Sequence, residues 1–145
     1  MHHVAIMKKE WGLLEKIISG EKTIESRWYK NKSAPWGKIE KGDTVYFKNS
    51  GEPVSIRAEV KKIISFSDLA PKQVKDILIK YGRPDGINKN DINKFYKLFK
   101  DKRYCLLIFL KNPAKIKHFE INKKGFGAMA AWITLENIAR IKING

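Results

Sequence analysis

Residues 19–36 read SGEKTIESRWYKNKSAPW, and a change of period inside this stretch decides the fold. Upstream, EWGLLEKIIS (10–19) spaces Trp11, Leu14, Ile17 and Ile18 onto one helical face, with Gly20 placed to cap its end. From Lys22 onward the pattern switches to period two, in residues that favour strands. Alternation then sets Thr23, Glu25, Arg27 and Tyr29 on one face and Ile24, Ser26 and Trp28 on the other. Lys22 stands in the turn after Gly20, where alternation need not hold, so its ammonium can swing to the Glu25 face. The plain reading of Glu25 and Arg27 is an exposed ion pair worth ~0–1 kcal/mol. The sharper reading is a site.

Working outward, HVAIM (3–7) is a short strand before the helix, and KNKSAPWG (30–37) has the Asn, Ser, Pro and Gly of a loop. Residues 38–66 predict a hairpin: TVYFK, a turn at Asn49-Ser50-Gly51, and a return in VSIRAEVKKI. One helix is expected from Pro71 to near Gly82 and a second in NDINKFYKLFKD, capped by Asn90 or Asp91. RYCLLIFLKN is a buried strand, AKIKHFEI another, and 138–143 a last one. Strands on both sides of a helical insertion predict a single α+β domain over residues 1–145. Its antiparallel or mixed sheet can close into a small barrel flanked by helices.

The 145 residues carry 30 Lys+Arg against 15 Asp+Glu, a formal net charge of +15 that attracts polyanions. Five of the 30 are arginine, the residue whose planar fork matches phosphates and base edges, so specific readout concentrates on them. A lysine-loaded surface without a partner is the competing account. No apolar run approaches the ~18 residues of a membrane helix and no signal-peptide order opens the chain, so a cytoplasmic protein is expected, without membrane contact. Cys105 lies in the apolar run YCLLIFL and reads as an inert buried thiol. His2, His3 and His118 lack metal-ligand spacing, and no metal or cofactor is expected.

GEKTIESR fits Gly-x-Lys-x-x-Glu-x-Arg through Gly20, Lys22, Glu25 and Arg27, and so resembles the signature of the ASCH family. KGDTVYF and RAEVKKI resemble the strands that follow it in that family. The likeness covers roughly residues 1–110, and 111–145 are expected to complete the barrel. It implies a PUA-like β-barrel that binds RNA, or a nucleotide portion of it, in a cleft lined by the motif side chains. Lys22 and Arg27 would meet phosphate or a base edge, with Glu25 orienting Arg27 or accepting from a base amino group. Tyr29 and Trp36 beside Lys30, Lys32 and Lys38 would supply stacking faces on a basic loop, while Trp28 faces the core.

The same resemblance implies an alternative, a hydrolase acting on a modified nucleoside such as N4-acetylcytidine, or a ribonuclease. The amidohydrolase branch uses the motif lysine, a threonine three residues on and a downstream glutamate. This sequence keeps Lys22 but has Glu25 in the threonine's place, with Glu52 or Glu59 as candidate further carboxylates. A third reading is an interaction module using the basic surface without a pocket. GFGAMA (125–130) matches a dinucleotide-binding fingerprint by letter, but lacks the acidic residue needed some 20 residues later. Its glycines are expected to make a turn, with Phe126, Met129 and Trp132 covering the barrel's open end.

Overall fold

The structure, a computed structural model, describes residues 1–143. The elements are β1 (His2–Met7), α1 (Leu13–Ser19), β2 (Ile24–Tyr29), β3 (Thr44–Asn49), β4 (Val54–Phe66), α2 (Pro71–Tyr81), α3 (Ile92–Phe99), β5 (Tyr104–Ile121), β6 (Trp132–Leu135) and β7 (Lys142–Ile143). Gly20 ends α1 at φ +84°, the left-handed region a glycine enters without Cβ strain. Pro71 opens α2, and the Ala70 N–H donates to Gln73 Oε1 at 2.8 Å. No helix among the described residues is long and apolar enough to cross a membrane.

Among the described residues the strands form one curled mixed sheet in the order β2-β5-β4-β3-β1-β6, with β7 added to the far end of β5. β1 and β3 run parallel and the other pairs antiparallel. Register shifts between β4 and β5 bend the long pair, as bulges do, and curl the sheet into a half-barrel. Val45, Phe47, Ala58, Val60, Leu106 and Ile108 fill its concave side. The opposite face of β2 and β5, through Ile24, Cys105 and Leu107, packs on Val74, Ile77 and Leu78 of α2. Cys105 is fully buried there, and burial pushes its thiol well above the ordinary range.

Two sequence expectations change. RYCLLIFLKN and AKIKHFEI are one continuous strand, because Asn112 and Pro113 lie within a bulge. Register passes from Lys111↔Glu59 to Ala114↔Arg57, leaving both residues opposite Ala58, where proline's missing N–H breaks no ladder bond. The last expected strand is a short 3-10 turn, Ile138–Arg140, followed by the two residues of β7, and the four-residue β6 precedes it.

β2 and β6, the outer strands of the half-barrel, do not pair. Arg27 bridges them: Nη1 donates to Ala131 O at 3.3 Å, and the guanidinium lies 4.9 Å from the Trp132 ring centre.

Trp132 leads on to a buried histidine. The indole N–H can only donate, so it gives His3 Nδ1 a hydrogen bond at 3.1 Å, and the imidazole proton is on Nε2, facing Asp43 Oδ2 at 2.8 Å. His3 is therefore held neutral, with burial pushing its pKa below the ordinary value despite Asp43. The unfolded chain takes up that proton first as pH falls through about 6.5, so stability declines from neutrality toward acid. Thermal melts between pH 7 and pH 5 are expected to show this slope. His3→Gln should flatten it, with a remainder from His2, which burial also lowers.

Candidate functional site

The backbone of β2 decides where its site opens. Leu110 N–H donates to Thr23 O at 2.8 Å, which with the Ile24↔Phe109 register turns the backbone groups of Glu25 and Arg27 toward β5. Those of Ile24, Ser26 and Trp28 face the other edge. The turn after α2 covers that edge only at its start, where Ile24 N–H donates to Pro84 O at 3.0 Å and Lys22 Nζ to Ile24 O at 2.6 Å. Beyond Ile24 the edge opens on a cleft of about 420 Å³. Met7 and Trp11 bound it on the β1 side, Asp85 to Asn88 at one end, and Phe95 and Phe99 of α3 opposite.

Lys22 is buried at the base of the cleft, its side chain 1% exposed. Its Nζ donates to Asp85 O at 2.6 Å and Asp85 Oδ1 at 2.7 Å as well as to Ile24 O, and Glu25 Oε1 stands 3.2 Å away. These acceptors use all three ammonium protons. Burial works against the charge, but Asp85 and Glu25 outweigh it and hold the Lys22 pKa above the ordinary value. Glu25 is opposite in sign: burial pushes its carboxyl up, and Arg27 and Lys22 together pull it below the usual range. Arg27 Nε and Nη2 both hold Glu25 Oε2, at 3.0 and 2.8 Å.

Asp85 completes the group. Its Oδ2 accepts from Ser26 Oγ at 2.6 Å, and Trp28 Nε1 donates to the same Ser26 oxygen at 3.2 Å. Burial, with Glu25 nearby, pushes the Asp85 carboxyl above the ordinary range. Gly86 makes the approach of Lys22 possible: its φ is +83°, and a Cβ there would lie 3.2 Å from Lys22 Cδ. Two cations and two carboxylates form a compensated knot, and around it Lys8, Lys16 and Lys94 outnumber Glu10 and Asp91, which leaves a surplus of one positive charge in the lining.

The structure thus brings Lys22, Glu25 and Arg27 together, and leaves Tyr29, Lys30, Lys32, Trp36 and Lys38 outside the cleft lining. Tyr29 donates to Ala34 O at 3.3 Å, and Trp36 packs edge-on against Tyr29 and Tyr104 under Lys32. Lys30 and Lys38 are exposed on the loop. Because Trp36 is half-buried against the core, Trp36→Ala is expected to lower stability by about 1–3 kcal/mol, less than the 3–5 of a fully buried tryptophan. Chemical denaturation measures it.

The flat faces in the cleft come from elsewhere. Trp28 packs on the core as expected, stacked on Phe99 with centroids 4.9 Å apart and planes 5° apart, and also lines the cleft, while Trp11 meets Phe95 edge-on at 5.4 Å. Sequence reading also missed Asp85, whose signal was a carboxylate just before a glycine in the turn GRPDG. Glu52 instead pairs with exposed Lys9, and Glu59 accepts from Asn112 Nδ2 at 2.7 Å. In the β5–β6 loop Gly125 and Gly127 take φ near +90°, Phe126 and Trp132 pack inward, and Met129 is 94% exposed instead of covering the barrel.

The sequence matches no protein-family model and no curated protein. Solved structures do resemble it. ASCH from Zymomonas mobilis superposes with a TM-score of 0.64 at 15% identity, over 93% of this chain and 87% of that one. A single-site mutant of the same protein gives 0.66 at 15% identity, over 96% and 93%. The hypothetical protein PH0355 gives 0.53 at 21% identity, over 80% of this chain and 100% of that one. At these identities the likeness establishes the fold alone: the chain has the α+β fold of ASCH from Zymomonas mobilis.

Proposed function

We propose that this chain is an ASCH-family protein that binds single-stranded RNA, or a nucleotide portion of it, in the cleft along β2. The observation that carries this reading is the meeting, in one cleft, of aromatic faces (Trp11, Trp28, Phe95) with the Arg27 guanidinium under a rim of lysines. Base stacking on such faces contributes ~1–3 kcal/mol per base and tolerates sequence. Arg27 spends Nε and Nη2 on Glu25, a second Nη2 hydrogen on Met7 Sδ and one Nη1 hydrogen on Ala131, which leaves one Nη1 hydrogen for a ligand on a side chain that is 16% exposed. The net charge of +15 favours polyanions over neutral ligands. The loop lysines Lys30, Lys32 and Lys38 extend the attraction beyond the cleft. Hydrolysis of a modified nucleoside with Lys22 as base has less support, because that ammonium is held charged and fully paired.

Titration of a fluorescent single-stranded RNA at several salt concentrations tests the reading. If four phosphates are engaged, log K should fall against log salt with a slope of roughly −3, from about −0.7 per phosphate. A salt-independent affinity, or none, removes RNA as the ligand.

A further inference from the structure

Ser26 contributes the only hydroxyl among the described residues that line the cleft. It is half-buried, open to the cleft, and its Oγ donates to Asp85 Oδ2 at 2.6 Å. The other oxygen of Asp85 is held by Lys22 at 2.7 Å, which fixes the plane of the carboxylate. Lys22 is fixed in turn by Ile24 O and by Glu25, itself clamped by Arg27. A hydroxyl, a base within hydrogen-bond reach and a group that orients the base are the three parts of an activated nucleophile. A serine that only satisfied a buried carboxylate would not need to face an open cavity.

Stabilisation of developing negative charge is also at hand. The strand register turns the backbone N–H groups of Ser26 and Trp28 to the edge of β2 that no described strand pairs, about 7 Å apart along the strand, so one of them can serve a given acyl oxygen. Such fixed donors act where an acyl oxygen gains charge. Trp28 Nε1 already points at Ser26 Oγ, at 3.2 Å, and would hold that oxygen as it loses its proton. The planar walls of Trp28, Trp11 and Phe95 favour a flat leaving group over an aliphatic one.

We propose that Ser26 is a nucleophile, with Asp85 its general base, for hydrolysis of esters that carry an acyl group on a planar aromatic alcohol. Ser26 Oγ attacks the acyl carbon as its proton passes to Asp85 Oδ2. The bond from carbon to the aromatic oxygen breaks, and that oxygen takes the proton from Asp85. Water then attacks the acyl carbon, gives a proton to Asp85, and the bond to Oγ breaks as Ser26 recovers its proton. The products are a carboxylic acid and the aromatic alcohol. This activity goes beyond RNA binding and does not rest on it.

The test is labelling of the full chain with an aryl fluorophosphonate, which transfers phosphorus to an activated serine with loss of fluoride and is far less prone than acyl esters to modify the many lysines. Peptide mapping should place the label on Ser26, and Ser26→Ala, with its melt and circular dichroism checked, should take none. Asp85→Asn should slow labelling by about 10²–10⁴-fold, the usual contribution of a general base. Should Asp85→Asn fail to fold, the wild-type pH profile decides: the rate should rise as one carboxyl ionises and then level off. Labelling absent or confined to other residues, a folded Asp85→Asn that labels like wild type, or a rate that climbs steadily into alkali would each overturn the proposal. Because no RNA is involved, failed RNA binding leaves this result unaffected.

Discussion

Lys22→Met is expected to destabilise the protein by about 3–5 kcal/mol, the cost of removing one member of a buried charged group. Methionine fills much of the same volume, so the loss is electrostatic more than steric. Asp85 and Glu25 would remain buried, at 6% and 4% exposure, without the ammonium they share. Arg27 still holds Glu25, which leaves Asp85 as the deprived partner, with only the Ser26 hydroxyl. The sign of the pH effect follows. Asp85 already has a raised pKa in the folded state, and the substitution raises it further. A carboxyl raised on folding contributes stability below its unfolded pKa, and that contribution is lost as pH rises through the folded pKa. The deficit of Lys22→Met should therefore be largest at neutral pH and shrink toward acid. Urea unfolding at several pH values measures both, and a variant as stable as wild type at pH 7 would mean the knot does not hold the fold.

Arg27→Lys should weaken RNA binding by about 2–5 kcal/mol, the range for disturbing one partner of a desolvated charged pair. The charge survives, but lysine lacks the fork by which Nε and Nη2 grip Glu25 Oε2 while Nη1 reaches Ala131 O. It also loses the flat cation above Trp132, so the contact between β2 and the β6 side loosens. Lys32→Ala removes a full charge from outside the cleft, where Lys32 lies over Trp36 and Tyr104, and should cost less. Titration of both variants against one RNA at fixed salt separates them. Should Lys32→Ala lose more than Arg27→Lys, the ligand lies along the loop and not in the cleft.

The half of the site that lies close in sequence was legible. A period change at Lys22 placed Glu25 and Arg27 on one face, and Gly20 located the turn that frees Lys22 from strand alternation. Asp85 was not legible, because it is 63 residues from Lys22 and only the return of the chain from α2 brings it there. Nothing periodic marks a turn residue as a partner. Trp28 was assigned correctly to the core face of β2, where it packs with Phe99 of α3, but that it also lines the cleft was not legible, because α2 covers only part of that face. Tyr29 and Trp36 alternate with lysines as stacking residues do, yet their partners, Ala34 O and Tyr104, become visible only in three dimensions. Asn112-Pro113 looked like the end of a strand because a bulge needs a partner strand to define it. The α+β reading survived these errors because the packing of β3 and β4 follows from their alternating apolar residues, and that of the first half of β5 from its continuous apolar run, buried on both faces.

The compensated knot of Lys22, Glu25, Arg27 and Asp85 has a consequence for how the protein can change. Because its charges cancel internally, the groups that hold the cleft in shape are insulated from those that set its field. Lys8 and Lys94, both exposed at the rim, can be exchanged for neutral or acidic residues without leaving a buried ion uncompensated. A lineage, or an engineer, can therefore alter what the cleft attracts in single viable steps, keeping the same scaffold while its clientele drifts from anions toward neutral or cationic molecules.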